Sequence, residues 1–303
     1  MKKLIIAGGT GFLGAILIKH FSPSFDEIVL LSRKQKLPKD KVRTVLWDAK
    51  SKGPWCTELE KADALINMTG RSVDCRYNPK NKAAILNSRV DSTTILGTAI
   101  SQCINPPPIW LNSSTATIYT HSLDSFMDEE NGEIGSGFSV EVAKAWEAAF
   151  FNSPTPKTRK VALRTSIVLG KNGGALQPIQ RLTRMGLGGK QGSGKQKFSW
   201  VHETDFAQSI AFIMAHPTLD GAVNIVAPTP STNTALMRLM RNYLKVPFGL
   251  PAGKGLLKMG ARLIRTETEL ILKSRNVIPT RLLKAGYTFR FNSLEIALKE
   301  LLK

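Results

Sequence analysis

Apolar positions in this chain fall into short unbroken runs separated by stretches of helical spacing. Residues 3–7 form such a run, which ends in Gly8-Gly9-Thr10-Gly11-Phe12-Leu13-Gly14; Phe12, Leu13, Ile16, Leu17 and Phe21 then recur at helical intervals. The pattern predicts strand, glycine turn, helix. Runs at 28–31, 42–47, 64–68 and 109–112 predict four more strands, and 161–164 together with 167–169 a sixth. Between them, 79–103 has helical spacing and stops at Asn105-Pro106-Pro107-Pro108, 120–137 is a polar, acidic loop, and 140–151 is a helix ended by Pro154 and Pro156. Strands that lack period-two alternation and are interleaved with helices predict an α/β fold, a doubly wound parallel sheet covered on both faces.

Past residue 169 the pattern changes. Residues 170–194 are rich in glycine and lysine, 198–201 read as a short strand, 205–215 as a helix and 222–226 as a last strand. From 228 onward the chain is helical and basic, with apolar spacing at 236–244, 256–264, 269–272, 282–285 and 294–302. The expected division is a larger sheet-based domain of 1–169 plus 201–227, and a smaller, mostly helical C-terminal domain of 170–200 plus 228–303.

Charge alters the picture more than composition does. The 303 residues are 42% hydrophobic and 21% charged, an ordinary globular balance that excludes collagen and wholly disordered chains. Yet 42 basic against 23 acidic side chains leave +19. Residues 151–200 carry 10 of the basic groups and no acid. Two readings stand: a lysine-rich solvated face, or attraction of an anionic ligand, with Lys190, Lys195 and Lys197 on a glycine-hinged lid. No aromatic-interleaved basic motif accompanies the charge, so no specific nucleic-acid partner is expected. Cys56, Cys75 and Cys103 form no C-x-x-C pair and have no histidine at ligand spacing, which points to no disulfide framework, no metal site and a reducing compartment. Lys2 and Lys3 before an apolar stretch superficially resemble a secretory signal. Gly8, Gly9, Gly11 and Gly14 argue against one, and with no window long enough to span a membrane the expectation is a soluble, cytoplasmic protein.

The glycine turn carries the clearest chemistry. G-x-x-G-x-x-G at Gly8, Gly11 and Gly14, directly after a strand and opening a helix, suits a pyrophosphate held on a helix N-terminus, and makes the expected sheet Rossmann-like. Where an NAD site places an acid at the end of its second strand, this chain has Ser32-Arg33. A carboxylate would repel a 2′-phosphate and an arginine attracts it, so NADP is the expected cofactor. The hydroxyl cluster Ser113-Ser114-Thr115-Ala116-Thr117 with Tyr119 follows the fifth strand, where ligands of doubly wound sheets lie. Of four scattered histidines only His121 lies beside that cluster, and no G-x-S-x-G or H-E-x-x-H occurs.

These motifs, with I-N-M-T-G at 66–70, N-S-R ending at Arg89, K-A-W-E-A-A around Trp146, V-L-G-K-N-G-G-A-L, F-S-W-V-H ending at His202, G-A-V-N-I-V-A-P and E-T-E-L-I-L-K-S-R near the end, run almost the whole chain. The sequence resembles an extended short-chain dehydrogenase/reductase. More narrowly, it looks like the atypical epimerase-family group related to nucleotide-sugar epimerases, which carries a C-terminal domain of unknown function. The resemblance implies that Gly8, Thr10, Gly11, Phe12, Leu13 and Gly14 bind the pyrophosphate, Ser32 and Arg33 the 2′-phosphate, Met68 and Thr69 the adenosine side, and Arg89 a further part of the cofactor. Asp48 would line the adenine pocket. Thr115 falls at the position of the catalytic Ser/Thr, to hold a substrate oxygen, and Tyr119 would be the proton donor.

One departure bears on mechanism. Extended reductases use Tyr-x-x-x-Lys, whose lysine lowers the tyrosine pKa. Aligning Glu147 with the acid that follows that motif puts Ser139 and Ala143 in the two slots, with Lys144 about 100° around the helix. The expected function is therefore an NADP-dependent oxidoreductase or nucleotide-sugar epimerase acting on a small, anionic substrate, and a homo-oligomer is compatible with it. The alternative is a non-catalytic NADP-binding sensor.

Overall fold

The computed structural model describes residues 1–35, 37–253, 255, 257 and 272–303. The helical runs read at 256–264 and 269–272 lie outside the described residues, apart from Leu257 and Leu272.

Seven strands form one parallel sheet: β1 (Lys3–Ala7), β2 (Glu27–Ser32), β3 (Val42–Leu46), β4 (Ala64–Asn67), β5 (Ile109–Thr115), β6 (Arg159–Thr165) and β11 (Gly221–Ile225), in the order β11-β6-β5-β4-β1-β2-β3. Both faces are buried, which is why the strands lack alternation. Leu4 and Ile6 face the layer of α1 (Phe12–Phe21) and α5 (Glu203–Ala215), packing with Leu17, Phe21, Phe206 and Ile210. Ile5 and Ala7 face the other layer, α2 (Pro79–Ser101) and α3 (Phe138–Phe151), with Leu96, Ile100, Trp110 and Phe150. This is the expected Rossmann-like sheet.

The run read as one sixth strand is two strands in two sheets. β6 stays in the main sheet, while β7 (Ile167–Gly170) pairs in parallel with β10 (Trp200–His202) and antiparallel with β8 (Gly173–Gly174). At the break the Ser166 N–H donates to the Ile225 carbonyl. An apolar run records burial and not which partner provides it. A short helix α4 (Leu176–Leu182) and a wide turn at Thr183–Leu187 occupy the glycine-rich stretch where no helix was expected. Its Leu176, with Leu169 and Trp200, joins a separate core built on α6 (Asn233–Leu244) and the final helix, Leu294–Leu301.

Two carboxylates tie the C-terminal segment to α5 and the loop after β5 to the sheet. Asp205, fully buried, accepts the N–H groups of Arg290 at 2.9 Å and Phe291 at 2.8 Å. Glu129 accepts Asn224 N–H at 2.8 Å, which covers part of edge strand β11. Among the described residues no helix is long and apolar enough to cross a membrane.

His202 gives the fold a pH dependence. Its Nδ1 accepts the Thr204 N–H at 3.0 Å, capping α5, its Nε2 lies 3.1 Å from Glu300, and its ring stacks on Phe291. Burial lowers its pKa despite the pull of Glu300. A histidine lowered on folding takes up its proton more readily in the unfolded chain, so its contribution is present above about pH 6.5 and lost as pH falls through the lowered value. Urea unfolding between pH 8 and pH 5 should show stability falling by up to about 1.4 kcal/mol per pH unit from this site. His202→Asn, whose amide oxygen can still cap, should flatten that part of the slope; an unchanged slope would refute the assignment.

Candidate functional site

Leu13 of α1 and the carboxyl ends of β4, β5 and β6 meet α2 and α3 around a cavity of about 280 Å³. It opens beyond the ends of β4, β5 and β6, beside the point between β1 and β4 where the strand order reverses, the usual ligand region in such sheets.

On the β1 side the glycines have separate tasks. Gly8 has φ 73° and approaches Thr69 so closely that a Cβ would fall 2.8 Å from the Thr69 Cα. A Cβ on Gly14 would fall 2.0 Å from the Gly9 carbonyl oxygen, so this glycine lets α1 pack on the turn. Gly11 caps α1, and a Cβ there would meet nothing within 4 Å. No side chain caps this helix and its first turn holds no acid, which leaves N–H groups and positive potential facing open space. Thr10 is exposed, Leu13 lines the cavity, and the Phe12 ring packs over Gly170, Gly173 and Gly174, where a Cβ would collide with it.

At the tip of β2, Ser32 is buried with its Oγ accepting the Lys34 N–H at 3.2 Å, and Arg33 is exposed. Asp48, expected at the adenine pocket and not at this cavity, closes a turn: its Oδ1 accepts the N–H groups of Lys50 and Ser51, which hold its carboxyl below the usual range. Met68, Thr69 and Arg89 do line the cavity. The Thr69 hydroxyl is buried and has no hydrogen-bond partner among the described residues. Arg89 donates to the carbonyls of Arg71 and Ile85, both at 3.0 Å, and lies over the Trp146 ring at 5.0 Å. Burial pulls its guanidinium down to about 10, so it remains charged at neutral pH.

The hydroxyl cluster belongs to β5 itself through Thr115, three residues further than expected. Thr115 lines the cavity and its Oγ1 accepts the Thr117 N–H at 3.1 Å. Ser114 also lines it, donating to Glu147 at 2.6 Å. Glu147 is held bidentately by Arg164, at 2.8 Å on each oxygen, and Arg164 donates in turn to the Tyr119 hydroxyl at 2.9 Å.

Tyr119 is not at the cavity. It is 2% exposed and its hydroxyl donates to Asn224 at 3.0 Å while accepting from Arg164; burial pushes its pKa up. The strand brings Thr115 to the cavity, but the turn after it carries Tyr119 into the protein. Ser139 lines the cavity, Ala143 is fully buried, and Lys144 faces outward 3.7 Å from Glu141. Lys190, Lys195 and Lys197 do not line the cavity either. The expected lid is instead fastened along its length: Gly188 and Gly194 carbonyls accept from Arg241 and Thr234 on α6, and Gly192 N–H donates to Ala252. His121 accepts the Ser274 N–H at 2.9 Å, away from the cavity. Sequence reading overlooked Tyr77, a cavity residue in the loop before α2; its one signal was an aromatic beside the cap residue Asn78.

Residues 4–226 match the profile of the NAD dependent epimerase/dehydratase family, and residues 254–301 that of a domain of unknown function, DUF1731. The chain belongs to the NAD dependent epimerase/dehydratase family. Within this family it is 31% identical over 304 residues to the cattle epimerase family protein SDR39U1, covering 99% of each chain. Epimerase family protein SH2119 of Staphylococcus haemolyticus is 29% identical over 303 residues, with 100% of this chain and 99% of that one covered. The crystal structure of human SDR39U1 with NADPH superposes with a TM-score of 0.87 at 31% identity, over 99% of both chains. The likeness spans the Rossmann-like sheet and the C-terminal region alike.

Proposed function

We propose that this family member binds NADP(H) and acts as an oxidoreductase or epimerase on a small, anionic substrate. The observation that carries the reading is the open N-terminus of α1 at Gly11, with the unpartnered Thr69 hydroxyl beside Gly8 of the same turn: donors and a polar atom left for a dinucleotide. The NADPH-bound human relative supports the same cofactor. When bound, that cofactor supplies or removes hydride.

In this reading Gly8, Thr10, Gly11, Leu13 and Gly14 hold the pyrophosphate, largely through the backbone, and Phe12 fixes the turn by its packing on β7 and β8. Ser32 and Arg33 hold the 2′-phosphate, with Met68, Thr69 and Arg89 as further contacts. Thr115 holds a substrate oxygen, and the charge of Arg89 at the cavity favours an anionic group. The division into 1–169 plus 201–227 and 170–200 plus 228–303 belongs to the same proposal. A sensor without turnover is the second reading, favoured by the buried Tyr119 hydroxyl and the outward Lys144.

NADPH oxidation measured against a set of carbonyl compounds and sugar nucleotides tests the two. Turnover supports the enzyme; stabilisation of the fold by a ligand without turnover supports the sensor. For the cofactor, Arg33→Ala should weaken NADP(H) roughly 10- to 150-fold, the loss of one charge-assisted contact of about 1.5–3 kcal/mol. NAD(H) affinity by titration calorimetry should hardly change. Equal losses for the two would remove Arg33 from the 2′-phosphate site.

A further inference from the structure

The proposed chemistry needs a proton donor, and Tyr119, Ser139 and Lys144 do not supply the usual pair. Among the described residues lining the cavity, only Tyr77 and Arg89 have ionisable side chains; the others are apolar, hydroxyl or glycine. We propose that Tyr77 is the proton donor and acceptor of this site and that Arg89 stabilises its phenolate, so that a pair from the α2 wall does the work of the missing Tyr-x-x-x-Lys. The inference rests on the oxidoreductase or epimerase reading and deepens it.

Three observations place the phenol there. Tyr77 precedes Asn78, whose Oδ1 accepts the Asn81 N–H at 2.8 Å and caps α2, so the backbone beneath the ring is anchored. Its ring meets Phe138 edge-on, with centroids 4.9 Å apart. Phe138 is the chain neighbour of Ser139, the residue standing in the usual tyrosine's slot, so Tyr77 reaches from the opposite wall toward the same region. Arg89 lies on α2 with its guanidinium turned back to the Arg71 carbonyl, on the loop that carries Tyr77. The two groups sense each other's charge: ionised Tyr77 favours the protonated guanidinium. By reciprocity the guanidinium favours the phenolate.

In a reduction, the Tyr77 O–H bond breaks as the carbonyl oxygen gains its proton. The bond's electron pair stays on the phenolate, which water then reprotonates. The two electrons that reduce the carbonyl arrive as hydride from the reduced nicotinamide, and oxidation of an alcohol reverses each transfer. Arg89 can hold a cofactor contact at the same time, since a guanidinium has five donors.

The test uses the full chain without added cofactor. The sequence has four tyrosines, and burial pushes Tyr119 and Tyr287 upward, which separates their titration from that of Tyr77. Ultraviolet difference absorbance should show a phenolate forming at least about one pH unit below the ordinary value near 10. It should vanish in Tyr77→Phe, and Arg89→Met should move it upward by about 1–3 units, the effect of one nearby opposite charge. A parent and a Tyr77→Phe protein with identical curves below about pH 10, or an Arg89→Met curve that does not move, would overturn the proposal. Calorimetry with NADPH on the same proteins keeps the failures apart. A Tyr77 that titrates normally in a protein that binds NADPH sinks this inference alone, whereas a parent that does not bind NADPH sinks the cofactor reading and leaves the titration standing.

Discussion

Gly11→Val should bind NADPH more weakly by roughly 150-fold or more while remaining folded, and Gly14→Ala should fail to fold. The two glycines are three residues apart in one motif and meet opposite surroundings. At Gly11 the φ of −94° is open to valine, and a new Cβ meets nothing within 4 Å, so the fold loses only about 1 kcal/mol of helix capping. That open space is where an anion would meet the first-turn N–H groups. Filling it removes two or more charge-assisted hydrogen bonds at about 1.5–3 kcal/mol each, hence the roughly 150-fold lower bound. At Gly14 the methyl would lie 2.0 Å from the Gly9 carbonyl oxygen, backbone against backbone, and neither can yield without moving α1 off the sheet. A cost above about 4 kcal/mol is expected, a large part of a domain's stability. Calorimetric titration with NADPH and thermal unfolding check both. Wild-type affinity in a folded Gly11→Val protein would refute pyrophosphate binding at this turn.

Glu147→Leu should destabilise the protein by about 3–5 kcal/mol, because it leaves Arg164 charged, buried and without its carboxylate. The pair joins α3 to β6, with side chains 11% and 12% exposed, and it carries Ser114 on one side and Tyr119, itself bonded to Asn224, on the other. A chain of this kind fixes the carboxyl ends of β5, β6 and β11 relative to one another. The double variant Glu147→Leu/Arg164→Met should recover much of the loss, since no charge is then stranded. Denaturant unfolding of the parent, both single variants and the double variant gives the coupling directly. Single variants costing less than about 1 kcal/mol would show that the pair is solvated and contributes little.

The outcome at Tyr119 shows where reading a sequence stops. The hydroxyl cluster after the fifth strand correctly marked a cavity wall, because strand ends in a doubly wound sheet have one available position. Thr115 and Tyr119 are four residues apart in the sequence, yet the short helical turn Ala116–Ile118 faces one to the cavity and the other to Asn224. Nothing in S-S-T-A-T-I-Y distinguishes them. The lysines of 190–197 are a similar case. Their charge is visible in the sequence, whereas the hydrogen bonds with Arg241, Thr234 and Ala252 that fasten their loop involve residues 40 or more positions away.

By itself the sequence determined the parallel sheet, the glycine turn at 8–14, the Ser32-Arg33 pair and the absence of Tyr-x-x-x-Lys. These are local: apolar runs report burial, glycine reports where a Cβ has no room, and a missing side chain cannot be restored by folding. Tertiary structure alone decided which strand a buried run joins, as β6 and β7 show. It also decided that Tyr77 of the loop before α2 and Arg89 of α2 share a cavity with Thr115 of β5. The physical reason is that hydrophobic burial is non-directional, so it specifies that a segment is inside without specifying its neighbours. A pair of groups meeting across a cavity leaves no periodic trace in the chain, since their spacing is set by how α2, α3 and the sheet pack.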